Sequence, residues 1–446
     1  MPSTIARFLR MYCFAILLLY SLSSNSDVNL VAVPGAIDPQ IEPRAAAEDW
    51  IKNQPRLVRG GFPWEMRPHI YGFTEPPPVK QMYLSAEPEA TTGLLLAWPS
   101  YIFNFDGALK IPEPLEIIRH SLGRVHISIL TSASTRSRIE NTLSAAGLDV
   151  AKIEFITFPR EFPDNTYART LDTIWIRDYG PVFVRNKNQK IPLSIVDMSY
   201  HPLQWNSRSR PSGRVRDDAV PTRLADHWGL QTYRPPLIAE GGNLQTDGNG
   251  TCFVTNRMAT VNRNVFGDSV KWMEVLRDYY GCRRTVLLQG LSGELTGHVD
   301  MFMCAVSEKT IIVGDYKMSD DATNSEILNR NAKTLHVSGY TVIRIPMPQP
   351  YSISGSRIWA TFTNALRVNS AMLVPVYRNP QFPPHLRQTI ASEEAQALRG
   401  FRNALPGIDI IPIVADPLIP SGGSLHCIAM TYGKVRAVKN SKLLLE

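Results

Sequence analysis

Cysteine is scarce in this 446-residue chain, with five in all, at positions 13, 252, 282, 304 and 427. No two of them make a CxxC pair or another zinc-like spacing, which excludes the common Cys-based structural metal sites. Charge of one sign is not concentrated either. The formal net charge is +7, but the basic residues are scattered. No Lys/Arg block or recognition motif marks nucleic acid as a partner. Beyond the N-terminus no apolar run reaches the roughly 20 residues that span a bilayer. What remains is an ordinary globular composition, 44% hydrophobic and 20% charged.

The N-terminus stands apart. Arg7 and Arg10 precede an apolar stretch over residues 11–20, and small residues follow at Ser21, Ser23 and Ser24. A basic region, a short apolar core and a small-residue cleavage zone mark a secretory signal, residues 1–24. Residues 25–90, rich in Pro and polar side chains, read as a linker and N-terminal wrap, and 91–446 as one domain. The mature protein is then expected outside the cell or in a periplasm, with no stable membrane association. Loss of Cys13 with the leader leaves four cysteines. Cys252 (in TCFVT) and Cys304 (in MFMCAV) occupy strand-like core positions, where a free thiol acts as a small hydrophobe, so zero or one disulfide is expected.

From Thr91 onward an apolar strand, a helix and another apolar strand recur. Five such units follow one another, each mixing hairpin strands with a helix, and a final strand pair runs through GGSLHCIAMTYGKVRAV. Low identity between the units does not hide the repetition. The pattern allows a conventional doubly wound sheet, but it favours a ring of units closed by the final strand pair, which would leave few open edges.

Four segments combine reactive residues with turn signals: Trp175-Ile-Arg-Asp178-Tyr-Gly-Pro181, Glu240-Gly-Gly-Asn243, Thr296-Gly-His298-Val-Asp300 and Gly422-Gly-Ser-Leu-His426-Cys427. If residues 296–300 are strand, alternation puts His298 and Asp300 on one face. The set holds a thiol, an imidazole and three carboxylates. A guanidinium is a flat cation with a fork of N–H donors, and two carboxylates can grip that fork and expose the central carbon. Asp178 and Asp300 are the candidates. The carbon is a poor electrophile, which calls for a thiolate, here Cys427. His298 would protonate departing ammonia and then activate water against the thiouronium, with Glu240 orienting the imidazole and favouring its protonated form.

The segments WIRDYGPVFV (175–184), EGGNLQTDGNGT (240–251), TGHVDMF (296–302) and GGSLHC (422–427) resemble, in order, those of the agmatine deiminase and Porphyromonas-type peptidyl-arginine deiminase family, within the guanidine-modifying superfamily. The resemblance implies an α/β fold, a five-bladed propeller (pentein) of pseudo-fivefold repeats. It also implies Cys427 as nucleophile, His298 beside it, Asp178 and Asp300 on the guanidinium, and no metal or organic cofactor. Glu240 matches the agmatine pattern. The leader, an Arg-containing loop with Arg208 and Arg210, and Asn364 in FTNAL resemble the peptidyl enzyme, whose arginines bind a C-terminal carboxylate. Trp175 joins Arg208, Arg210 and Asn364 as a candidate substrate contact. Citrullination of arginine in a peptide or protein is therefore the expected activity, and deimination of agmatine to N-carbamoylputrescine is the alternative. A papain-like protease would leave both Asp residues idle, and an inactive secreted guanidinium-binding protein would leave the whole set idle.

Overall fold

The computed structural model describes residues 74–77, 82–104, 106–158, 171–186, 193–200, 215–353 and 355–433. The leader, Arg208 and Arg210 lie outside the described residues. Strand β1 (Met82–Leu84) comes first. A first unit follows, with β2 (Thr91–Ala97), α1 (Glu113–Ser121), β3 (His126–Leu130), α2 (Ala133–Ala145) and β4 (Ile153–Ile156). The second holds a one-turn helix α3 (Ile176–Tyr179), β5 (Val182–Asn186), β6 (Leu193–Val196), α4 (Val220–Trp228) and β7 (Thr232–Tyr233). The third has β8 (Gln245–Thr246), β9 (Thr251–Thr255), α5 (Trp272–Tyr280) and β10 (Arg284–Leu288). In the fourth, β11 (Met303–Ala305) and β12 (Thr310–Asp315) precede α6 (Ala322–Val337) and β13 (Thr341–Pro346). A hairpin of β14 (Tyr351–Ile353) and β15 (Ser356–Ile358) then leads to β16 (Leu366–Val368), β17 (Ala371–Val376), α7 (Pro384–Ala404) and β18 (Asp409–Val414). Strand β19 (Ala429–Gly433) ends the described chain.

Among the described residues, one rule generates every sheet except the β14–β15 hairpin. An antiparallel pair is followed by a helix and a third strand parallel to the second, as in β5–β6–β7, β8–β9–β10, β11–β12–β13 and β16–β17–β18. The first unit obeys it with a strand from the far end of the sequence: β19 pairs antiparallel with β2, Met430 opposite Leu95, and β3 and β4 continue parallel. The final segment therefore does return to the first unit. Parallel strands need covering on both faces, and β17 accordingly reads AMLVPV with every residue buried. Helix α7 starts on a proline and buries Leu386, Ile390, Ala397, Leu398 and Phe401 along one stripe.

Two expectations change. Cys252 is not a free core thiol: it forms a disulfide with Cys282, while Cys304 and Cys427 stay reduced and buried. Gly281 ends α5 in the left-handed conformation, φ 72°, and turns Cys282 back onto β9. Sequence spacing does not reveal that reversal. Residues 298–301 are not strand either. They form a short 3-10 turn, Val299–Met301, with His298 extended at its start, and Asp178 lies on the single turn α3. Among the described residues no helix is long and apolar enough to cross a membrane.

Candidate active site

Each unit carries one short irregular segment just before the first strand of its antiparallel pair. Asp178 precedes β5, Glu240 and Gly242 precede β8, His298 and Asp300 precede β11, Asn364 precedes β16, and Cys427 precedes β19. The turns at 176–179, 241–243, 299–301 and 426–428 pack on one another. Equivalent positions of five repeats thus assemble one site.

The paired glycines explain how. A Cβ on Gly241 would strike the Arg177 carbonyl, so only glycine lets this turn lie against α3. A Cβ on Gly242 would lie 2.7 Å from Asp178 Oδ1, 2.7 Å from His298 Nδ1 and 3.0 Å from Asp300 Oδ2. That single point locates three of the expected residues around one small space. Gly423 does the same on the other side, with Trp175 and Cys427 Sγ both within 3.0 Å of where its Cβ would be. Thr255 clips two of the turns together, its hydroxyl 2.9 Å from Asn243 Oδ1 and 2.6 Å from the Gly297 carbonyl. Glu294 accepts from the Gly297 N–H at 2.7 Å and holds the loop leading into His298. Gly242→Ala should therefore cost roughly 10²-fold in turnover, the scale of a 1 Å misplacement. Stability to thermal unfolding should fall only by the cost of overpacking, about 1–3 kcal/mol, because Gly242 has no positive φ to add backbone strain.

The imidazole of His298 is 2% exposed and sits between carboxylates. Nε2 is 2.9 Å from Glu240 Oε2, and Nδ1 is 3.5 Å from Asp178 Oδ1. Burial opposes its charge, but Asp178 and Glu240 outweigh burial and raise its pKa to about 9. Glu240 is clamped from behind by Arg257, whose Nη2 donates at 2.7 Å and whose Nε donates to the other oxygen. Burial resists ionisation of Glu240, yet His298 and Arg257 hold its pKa down to about 2. The thiol of Cys427 is pushed well up by burial and by the Asp300 and Asp178 charges. Its hydrogen points at Asp300 Oδ2, 3.6 Å away. Among the described residues no group of His, Cys, Asp or Glu is arranged to hold a metal ion.

Asn364, expected as a substrate contact, lies beside Cys427. Its Oδ1 accepts from the backbone N–H groups of Ser424, His426 and Cys427, and its Nδ2 donates to Cys427 Sγ at 3.2 Å. The amide shapes the loop that carries the thiol. The sequence pointed to the residue but not to these bonds, which cross about 60 positions. It also missed Arg257, Glu87, Arg177 and His426, considered below.

The profile of the Porphyromonas-type peptidyl-arginine deiminases matches residues 83–432. The chain belongs to this family. An agmatine deiminase of Stutzerimonas stutzeri is 24% identical over 380 residues, 78% of this chain and 94% of its own length. A substrate-bound C. jejuni agmatine deiminase superimposes with a TM-score of 0.64 at 20% identity, over 79% of this chain and 97% of that one. The agmatine deiminase of Enterococcus faecalis gives 0.64 at 17%, over 81% and 98%. These likenesses show the α/β fold, and the family makes this peptidyl-arginine deiminase relative a hydrolase acting on guanidino groups.

Proposed function

We propose that the chain is a cysteine-dependent deiminase converting agmatine and water to N-carbamoylputrescine and ammonia. The observation that carries this reading is the Glu240–His298 pair at 2.9 Å, set beside two acids and a thiol. Glu240 follows the agmatine pattern, and the relatives that bear the agmatine name are spanned over 94–98% of their lengths. Arg208 and Arg210, which resemble the peptidyl enzyme's arginines, lie outside the described residues, and Asn364 lies beside Cys427 Sγ. Peptidyl-arginine stays as the second reading because the matching profile is that of the peptidyl enzymes.

In the proposed reaction Asp178 and Asp300 hold the guanidinium, and Trp175 walls the slot beside Gly423. As the guanidinium cation enters, the Cys427 thiol loses its proton to solvent, its sulfur bonds to the central carbon, and the C=N pair moves to nitrogen. The His298 imidazolium gives its proton to the departing amine, the C–N bond breaks, and ammonia leaves a thiouronium on sulfur. Neutral His298 then takes a proton from water as its oxygen adds. The adduct's hydroxyl passes its proton to solvent or ammonia, its electron pair closes the C=O as the C–S bond breaks, and the ureido product leaves with the thiolate restored.

Two further readings accompany the reaction. The five sheets are taken as blades of a propeller, supported by their common rule and by each one's contribution to the site from the same position. The N-terminus is taken as an export signal, supported by the Cys252–Cys282 disulfide, since disulfides persist in oxidising compartments. Ammonia release from agmatine and from a peptide ending in arginine, measured side by side, tests the substrate. Agmatine is expected to be turned over faster, and turnover of the peptide alone would reverse the assignment.

A further inference from the structure

His426 takes no part in the chemistry above, yet few side chains here are more tightly held. It is 3% exposed, adjoins Cys427 in sequence, and meets a carboxylate at each ring nitrogen. Nδ1 is 2.8 Å from Asp300 Oδ2, and Nε2 is 2.7 Å from Glu87 Oε1. Only a doubly protonated imidazole donates at both ends. Burial and the Arg177 charge oppose that proton, but Glu87 and Asp300 prevail and raise the pKa. Arg177 closes the outer end, with Nη2 donating to Glu87 Oε1 at 2.5 Å and Nε donating to the His426 carbonyl at 3.2 Å. Burial resists ionisation of Glu87, while His426 and Arg177 hold it down to about 2.

Asp300 shows what this arrangement leaves open. The residue is fully buried. Its Oδ2 faces the His426 imidazole and the Cys427 thiol, whereas Oδ1 is buried with no hydrogen-bond partner. An enclosed acceptor with an empty lone pair is costly unless a donor arrives to fill it. A guanidinium N–H is such a donor. Glu87 lies just beyond β1, and it borders a cavity lined also by Arg177, His426, Gly241 and Met430. That cavity lies behind the network and is not lined by Cys427.

We propose that His426, backed by Glu87 and Arg177, is the positioning residue that anchors Asp300 through Oδ2 and so fixes the carboxylate at the space it shares with Asp178, His298 and Cys427, with Oδ1 left as its unpartnered acceptor for the guanidinium. The proposal rests on reading Asp300 as a guanidinium-binding acid. It also makes the segment after β1 a working part of the site, although Glu87 and His426 are 339 positions apart.

Three variants of the full chain separate this role from simple packing. His426→Leu removes both bonds. His426→Asn places an amide nitrogen near the position of Nδ1, so it can serve Asp300 but not reach Glu87. His426→Gln places one near Nε2 and does the reverse. KM and kcat for agmatine and for a peptide ending in arginine are read from ammonia release. Dissociation constants for both come from calorimetry on the same variants carrying Cys427→Ser. Leu should raise KM and the dissociation constant roughly tenfold, the scale of one charge-assisted hydrogen bond, with a smaller change in kcat. Asn should restore most of the binding and Gln should not. A structural role would not tell these two amides apart. Unchanged binding in the Leu variant, or equal rescue by Asn and Gln, overturns the proposal, and if Leu fails to fold the Asn–Gln comparison decides it. Binding that responds to His426 without any turnover by the unaltered protein would sink the reaction and spare the positioning role. Failure of both ligands to bind or react would sink both.

Discussion

Replacing Cys427 with alanine is expected to abolish ammonia release, by at least about 10⁴-fold, the usual scale for loss of a covalent nucleophile. The fold should survive, since one buried sulfur is lost from a loop that Asn364 still braces through three backbone N–H groups. The size of the effect follows from the division of labour. Asp178, Asp300 and His298 hold and protonate, but none can form the bond to carbon that splits one difficult displacement into two easier ones. At first sight the thiol is poorly prepared, because burial, Asp300 and Asp178 all push its pKa up. The same two acids are the proposed seat of the substrate cation. When the guanidinium enters, its charge cancels the field that disfavours thiolate, and the nucleophile is released where its target lies. Cys304 is the control. It is the other free thiol among the described residues, also pushed up by burial, and it belongs to β11 rather than to the turn before it. Cys304→Ala should keep its turnover. An alanine at 427 that left citrulline-type product formation within tenfold would remove Cys427 from the mechanism.

How far these features could be read from sequence depended on the range of the physics behind each. The Gly-bounded segments stood out because close approach demands glycine locally: Gly241 meets the Arg177 carbonyl, and Gly242 meets three functional atoms. The repeating strand and helix pattern was legible for the same reason, since periodic burial writes itself into neighbouring residues. Pairings between distant positions left no such mark. Nothing near Cys252 announces Cys282, and nothing near His426 announces Glu87. Arg257 follows β9 like any surface residue in sequence, yet it is mostly buried against Glu240. Local geometry was misjudged where a reactive segment looked apolar enough for a strand. His298 and Asp300 do converge, through a 3-10 turn rather than by strand alternation.

The second large effect concerns protonation. Because His298 titrates near 9, it is imidazolium throughout the neutral range, the form that can protonate a departing amine. For the free enzyme kcat/KM should fall as pH rises past about 9 and that proton is lost. Glu240→Gln should move this limb to lower pH. The substitution keeps an acceptor for Nε2–H but removes a carboxylate that raises the imidazole pKa, and it leaves the Arg257 charge without its bidentate partner. Both changes favour the neutral ring. At pH 8 the loss should be roughly 10³-fold, within the range of general acid catalysis. A stability defect is separable from this effect. Since Glu240 is held near 2, below its ordinary 4.5, its contribution to folding is present above the ordinary value and lost only as pH falls through about 2. Thermal unfolding at pH 8 therefore shows whether the variant is folded while its limb is measured. A limb that stays at about 9 in Glu240→Gln would separate Glu240 from the protonation of His298. In the complex the guanidinium offsets part of the Asp178 field, so the limb in kcat should lie at lower pH than the limb in kcat/KM.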